Sequence, residues 1–290
     1  MFQNDENLFW KTIPNTDFTN AQGFRGTQDV TVANSKEAVR ILILGDSCSF
    51  LGRKLYAELL HDKLTRDNPG TPFEIINASV PGYTSFQGEK MLGQLMKYKP
   101  HYTSIYFGWN DHWILPSGYS DQFHFELIHS FKVVQLVRIM LARVMNVRDY
   151  RVPIGGYQAN LTAMVEQLQK NGVIPILIAA PAGYTKKGMP SWAFRFYQEY
   201  YRMTAEEIRD IPTTHNAYVD VVARVSKKHN TIFVDMPRYL KSLWPSMKCI
   251  LRNDLIHLKD PGHEAIADEI YNQMKSYNSS NNLTWDSLLR

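Results

Sequence analysis

Val39-Arg40-Ile41-Leu42-Ile43-Leu44-Gly45-Asp46-Ser47-Cys48-Ser49 is the stretch on which the reading of this chain turns. Its first six residues are apolar apart from one arginine, with Val39, Ile41 and Ile43 β-branched, the composition of a strand buried on both faces, and Gly45 stops the run. A serine at the turn from such a strand into a helix carries its hydroxyl at the carboxyl edge of the sheet. Its own backbone N–H then lies near a helix N-terminus, where negative charge is favoured. A free serine hydroxyl is a poor nucleophile and needs a base within hydrogen-bond reach. Asp-Ser after a strand is equally an ordinary N-cap, with Asp46 serving the turn by hydrogen bonding.

Outward from this stretch, similar runs recur at Phe73–Ala78, Ser104–Phe107, Val173–Ala179 and Thr231–Asp235. Helical patterns lie between and after them. Leu161, Met164, Val165 and Leu168 follow i, i+3, i+4, i+7 spacing; Tyr218, Val222 and Val225 form a second apolar face. Ile266, Ile270 and Met274 form a third, after the helix-start signal Asp260-Pro261-Gly262. Strand, helix, strand repeated in this way predicts an α/β fold with a central parallel sheet and helices on both faces. Reactive groups in such folds sit at the carboxyl ends of strands, in the loops that follow.

Three further segments satisfy that rule or come close to it. Asp254-Leu255-Ile256-His257 stands before the last helix and after a strand-like region. Its two intervening residues let a carboxylate turn back onto an imidazole, fix its tautomer and stabilise the imidazolium. Gly82, in Ala78-Ser79-Val80-Pro81-Gly82, offers a backbone N–H with no Cβ in the way. Asn110, in Phe107-Gly108-Trp109-Asn110-Asp111, offers a side-chain NH2. Acyl transfer builds negative charge on a carbonyl oxygen, and fixed donors of these kinds lower that barrier. Singly, each has a plain structural reading as a turn glycine, a capping asparagine or an exposed pair. Together, in one order, they describe a serine hydrolase that lacks the GxSxG elbow.

With those blocks quoted, the chain resembles the SGNH (GDSL-like) hydrolases, named for a Ser, Gly, Asn and His in separate blocks. The resemblance covers about residues 36–276, and Leu258-Lys259-Asp260-Pro261-Gly262-His263 resembles that family's passage into its last helix. It implies a flavodoxin-like three-layer α/β/α fold with a central parallel sheet. It also implies a triad of Ser47, Asp254 and His257, with an oxyanion hole from Ser47 N–H, Gly82 N–H and the Asn110 side chain. Cys48 replaces the leucine of GDSL, and no chemistry is assigned to it. Asp46, Trp109, Asp111 and His112 adjoin these blocks and are the candidates for substrate contact, although solvated loop positions are the plainer reading of Asp111 and His112. A narrower resemblance, of Phe18-Thr19-Asn20-Ala21-Gln22-Gly23-Phe24-Arg25-Gly26 and of the Phe107–Asp111 block, is to bacterial SGNH proteins of surface-polysaccharide systems. It implies deacetylation of a glycan outside the cytoplasm by a protein whose N-terminal anchor or signal has been removed.

Bulk properties bound the rest. The 290 residues suit one sizeable domain, and 44% hydrophobic with 21% charged residues is ordinary for a globular chain. The net charge of +4 is mild, and pairs such as Lys186-Lys187 and Lys227-Lys228 do not form the concentrated basic face that nucleic acid requires. No stretch has the roughly 18 apolar residues of a membrane span. Cys48 and Cys249 make no disulfide framework and have no zinc spacing. His263-Glu264 lacks the second histidine of a zinc HExxH motif, since position 267 is Ala, so neither metal nor organic cofactor is expected. His263 reads as a helix-start residue.

Residues 1–35 read as a polar N-terminal extension, 36–276 as the hydrolase domain and 277–290 as a tail, with Ser276–Asn282 loose. Insertions at about 112–156 and 182–213 are rich in aromatics, among them Trp113, Phe123, Trp192, Tyr197 and Tyr200. Such segments roof an active site or simply add a packed layer. The substrate is expected to be a small-molecule or glycan ester. Three rivals stay open. One is an O-acetyltransferase on the same triad. Another is a lipid esterase or thioesterase with the apolar segment Phe131–Val147 as an acyl-chain lid. The last is a glycan-binding protein without turnover. Oligomeric state is not legible.

Overall fold

The computed structural model describes residues 1–32, 37–114, 118–145, 147, 149–184, 188–201, 203–242 and 254–289. Cys249 lies outside them, as do Lys186, Lys187 and the strand-like region before Asp254; the Tyr200 side chain is likewise not described.

Five strands form one all-parallel sheet: β3 (Val39–Gly45), β4 (Phe73–Asn77), β5 (Tyr102–Tyr106), β6 (Ile174–Ala179) and β7 (Ile232–Asp235), in the order β4-β3-β5-β6-β7. Every apolar run expected to be a strand is one. The alternation of a strand assigns each side chain to a face. Ile41 and Ile43 enter one core, with Leu60 and Leu64 of α2 (Tyr56–Asp67) and Ile266, Ile270 and Met274 of α10 (Asp260–Ser280). Leu42 and Leu44 enter the other. There they meet Leu92 of α3 (Ser85–Leu95), Leu161, Met164 and Leu168 of α6 (Ile154–Lys170), and Tyr218, Val222 and Val225 of α8 (Ala205–His229). The result is the α/β/α sandwich that the sequence predicted. Its order turns back between β3 and β5, and the carboxyl end of that switch point is where an open parallel sheet leaves a crevice.

The first 32 residues are more ordered than a polar arm. Strands β1 (Phe2–Asp5) and β2 (Phe9–Thr12) pair antiparallel, and the following turn buries Phe24 in the second core. Arg25 N–H donates to Asn77 O at 2.8 Å, extending the chain along the edge of β4, which removes part of an open sheet edge.

The insertion after β5 carries α4 (Asp121–Ile128) and α5 (Lys132–Val144), and that after β6 carries α7 (Ser191–Tyr200). Residues 276–282 depart from the loose tail expected from their Asn/Ser content: α10 runs to Ser280 because Asn278 is buried, its side-chain oxygen accepting from Tyr102 Oη at 2.7 Å. The chain then forms α11 (Trp285–Leu288), whose Trp285 ring meets Phe73 at 5.4 Å and Tyr102 at 6.1 Å. Two further short helices lie among the described residues, α1 (Ser47–Phe50) and α9 (Met236–Ser242). Among the described residues, no helix is long and apolar enough to cross a membrane.

Candidate active site

Gly45 ends β3 at a point of close approach. A Cβ there would lie 2.5 Å from Ser49 Oγ and 3.0 Å from Tyr106 O, so only glycine lets the chain turn against β5. Asp46 follows as the N-cap of α1, its Oδ1 accepting from Cys48 N–H at 2.8 Å. That cap leaves Ser47 half-buried at the carboxyl edge of the sheet and turns Cys48 into the core.

Far along the chain, Asp254 Oδ1 accepts from the backbone N–H groups of Ile256 and His257, both at 2.9 Å. This tight turn holds Leu255 at φ +64, a left-handed conformation that a branched side chain adopts only under constraint. The constraint is visible: Gly183 N–H donates to Leu255 O at 3.1 Å, and Tyr197 Oη donates to Asp254 O at 2.7 Å. His257 Nδ1 lies 2.6 Å from Asp254 Oδ2, and its Nε2 lies 2.8 Å from Ser47 Oγ. An imidazole donating through Nδ1 to a carboxylate has an accepting Nε2, so the Ser47 hydroxyl donates to it. Burial alone would raise the Asp254 carboxyl; the bonds from His257 and from the two backbone N–H groups outweigh it and hold the group below its ordinary value. It therefore stays ionised beside the imidazole. The three residues, 210 positions apart at their extremes, form one hydrogen-bonded chain.

Gly82 has φ +83, and a Cβ on it would lie 3.1 Å from Trp10 Cζ2. Both peptides around it are held. Trp10 Nε1–H donates to Pro81 O at 3.1 Å, and Arg151 Nη1 donates to Gly82 O at 2.7 Å. In a trans peptide the N–H points opposite the C=O, so anchoring Pro81 O to Trp10 aims Gly82 N–H away from the hairpin. Arg151 is fixed in turn by Asp121 through Nε at 3.1 Å and Nη2 at 3.0 Å, a buried pair completed by the Thr84 hydroxyl at 2.7 Å. Asn110 Nδ2 donates to Tyr83 O at 2.9 Å and, at 3.2 Å, to Asp46 Oδ2.

The remaining candidates serve the scaffold. Asp111 and His112 were expected in solvent, and the structure corrects this: both are buried, because each finds partners inside. Asp111 accepts from Ser85 N–H at 2.9 Å and Gly108 N–H at 3.1 Å, and burial pushes its carboxyl up to about 7 against those bonds. His112 Nε2 meets His215 Nδ1 at 3.0 Å, and His215 Nε2–H donates to Ala180 O at 3.0 Å. Burial holds both rings below their ordinary range, His215 at about 4. Trp109 stacks on His215 with centroids 4.0 Å apart and donates to Pro181 O. Asp46 is buried too, and burial raises it to about 6. With their polar atoms engaged by the protein, Asp46, Trp109, Asp111 and His112 position the Ser47 and Asn110 loops and do not line an open surface.

Trp10, Asp121, Arg151 and His215 were not legible as site residues, and Tyr197 was legible only as one aromatic of an insertion that roofs a site or merely packs. They act on backbone carbonyls or on other side chains far away in sequence, and leave no local pattern.

With this geometry in place, comparison with known proteins becomes informative. Residues 43–265 match the GDSL-like lipase/acylhydrolase family. The chain belongs to that family. It is accordingly a hydrolase of ester bonds, and the match spans Ser47, Gly82, Asn110, Asp254 and His257. Family members among solved structures share the sandwich. A lipase/acylhydrolase from Enterococcus faecalis is 19% identical with a TM-score of 0.56, covering 82% of this chain and 96% of its own. An acetyl xylan esterase from Geobacillus stearothermophilus is 18% identical with a TM-score of 0.54 over the same shares. A psychrotrophic esterase from Pseudoalteromonas is 20% identical with a TM-score of 0.50, covering 83% and 99%. At such identities the likeness is one of fold. No curated protein matches the sequence.

Proposed function

We propose that the chain is a serine esterase that removes small acyl groups, acetyl foremost, from a carbohydrate. The observation that carries the mechanism is the chain of contacts from Ser47 Oγ through His257 to Asp254, at 2.8 and 2.6 Å. His257 Nε2 takes the Ser47 proton as Oγ attacks the ester carbonyl, and Asp254 stabilises the imidazolium that forms. The oxyanion rests on Ser47 N–H, Gly82 N–H and the Asn110 side chain. Collapse of the tetrahedral intermediate breaks the ester C–O bond, and the alcohol leaves with the proton from His257. Water, deprotonated by the same imidazole, then attacks the acyl-serine, and Ser47 regains its proton as the acid departs.

The carbohydrate reading is supported by aromatics beside the Asp254 turn. Tyr197, whose hydroxyl bonds Asp254 O, adjoins Trp113 at 5.8 Å, and Trp113 stacks on Tyr201 at 5.0 Å. Trp113 and Tyr201 retain exposed surface, and flat amphipathic rings suit the apolar faces of sugars. The acetyl xylan esterase of the same fold is in keeping with this reading.

The test is hydrolysis of p-nitrophenyl acetate, longer acyl esters and acetylated xylo-oligosaccharide by wild type and Ser47→Ala. Acetate should be preferred, acetyl should be released from the oligosaccharide, and the variant should lose at least about 10³-fold in kcat while staying folded. Preference for long acyl chains would replace the carbohydrate reading with a lipid one. Transfer of acetyl to a sugar hydroxyl in place of water would make the chain a transferase. Turnover undiminished in Ser47→Ala would remove the serine mechanism altogether.

A further inference from the structure

Helix α5 and the residue before it present an apolar surface that the fold leaves uncovered. Phe131 is 85% exposed, Val133 74% and Val144 84%, and among the helix residues only Ala142 is buried. At about 100° per residue, Val133, Leu136, Val137, Met140, Leu141 and Val144 share one half of the helix circumference, opposite Ala142. All six are exposed. Monomeric proteins seldom leave so continuous an apolar face in water.

Charge identifies what the face meets. On the same helical wheel, Lys132 and Arg143 border the apolar half on one side and Arg138 borders it on the other. No acidic residue occurs between Phe131 and Met145; of the two that flank the segment, Asp149 lies beyond its C-terminal end and Glu126 is already bonded to Arg138 at 3.3 Å. A second copy of the chain docked antiparallel on this face would set Lys132 and Arg143 against the same two residues of its neighbour. A bilayer with anionic headgroups offers the complement of both parts, with acyl chains for the apolar half and phosphates for the flanks. Phe131, at the outer turn between α4 and α5, stands where an aromatic anchor would enter first. The helix has 13 residues, too few to cross and enough to lie in the interface.

We propose that α5 docks the protein on the surface of an anionic phospholipid bilayer, lying in the plane of the headgroups. This surface is independent of the catalytic reading. The experiment is co-sedimentation of the full chain with vesicles of phosphatidylcholine alone, or with about 30% phosphatidylglycerol, at low and raised salt. Wild type should partition at least ten-fold more strongly onto the anionic vesicles and release as salt rises. Val133→Glu/Val144→Glu should lose at least ten-fold in partitioning with an unchanged thermal melt, since both positions are solvent-exposed. Lys132→Glu/Arg143→Glu should lose the preference for phosphatidylglycerol. Absence of wild-type binding to either vesicle, or undiminished binding by Val133→Glu/Val144→Glu, overturns the proposal. So does a wild-type dimer in sedimentation velocity that the same variant dissociates while vesicles bind nothing, which assigns the face to a second copy.

Discussion

Ser47 Oγ and His257 Nε2 meet because two turns are each closed by a carboxylate of their own: Asp46 accepts from Cys48 N–H, and Asp254 accepts from Ile256 and His257 N–H. An Asp at such a position supplies in two bonds the order that a longer segment would need packing to achieve. The proposed oxyanion region is organised differently. Gly82 is aimed by Trp10, a residue of the N-terminal hairpin 71 positions from Pro81, and a substitution there should reach the chemistry without touching substrate. Trp10→Phe retains an aromatic ring near Arg151, whose guanidinium lies 5.7 Å from the Trp10 centroid, while deleting the bond to Pro81 O together with the indole edge nearest Gly82. A net hydrogen bond of about 1 kcal/mol corresponds to roughly a five-fold effect. The expected outcome is a fall in kcat of roughly five- to ten-fold with little change in KM. Equal changes in both parameters, or none in kcat, would show that Trp10 only packs.

At the scale of elements, the sheet reads directly from the sequence, and the two ends of the chain do not. Strands β3 to β7 are continuous apolar runs because both of their faces are buried, and the faces of α6, α8 and α10 follow the helical period because one side of each meets the sheet. Residues 276–289 defeat the same reading. Asn and Ser content suggests a loose tail, yet Asn278 is buried on Tyr102 and Trp285 closes over Phe73. A polar residue bonded in the interior looks the same in sequence as one in water. The prediction that belongs here is that Trp285→Ala lowers stability by about 1–3 kcal/mol, read as a lower urea midpoint, because a half-buried indole is removed from an edge of the core. A change below about 0.5 kcal/mol would return this segment to the status of a tail.

Across the whole molecule, buried titratable groups pull stability in opposite directions. Asp111 is raised from 3.8 to about 7 and Asp46 to about 6, both by burial. In that interval the folded chain keeps protons that the unfolded chain releases, so this contribution to stability falls as pH rises. His215 is lowered from 6.5 to about 4, and His112 is lowered as well, both by burial. There the unfolded chain binds more protons, and the contribution rises with pH. The two trends oppose each other between about pH 4 and pH 6, where His101, also lowered by burial, adds to the rise. Asp111→Asn removes one falling contribution, so the urea midpoint of that variant should climb with pH more steeply than that of wild type. The difference in slope is at most about 1.4 kcal/mol per pH unit. Parallel curves for the two proteins would place Asp111 outside this balance.

The division between sequence and structure follows from range. Hydrophobic period, turn chemistry and the blocks around Ser47, Gly82, Asn110 and His257 are local, and their order along the chain was enough to specify a parallel sheet with its reactive loops at one edge. What holds those loops is not local. Trp10 on Pro81, Arg151 on Gly82, Tyr197 on Asp254 and the burial of Asp111 and His112 are contacts between segments 57 to 71 residues apart, or the outcome of packing around them. A side chain that acts by bonding a distant backbone carbonyl imposes no spacing on its neighbours, so only the folded chain could reveal it. The same holds for α5: its sequence announced an apolar segment, and only the tertiary structure decided that the apolar half faces outward.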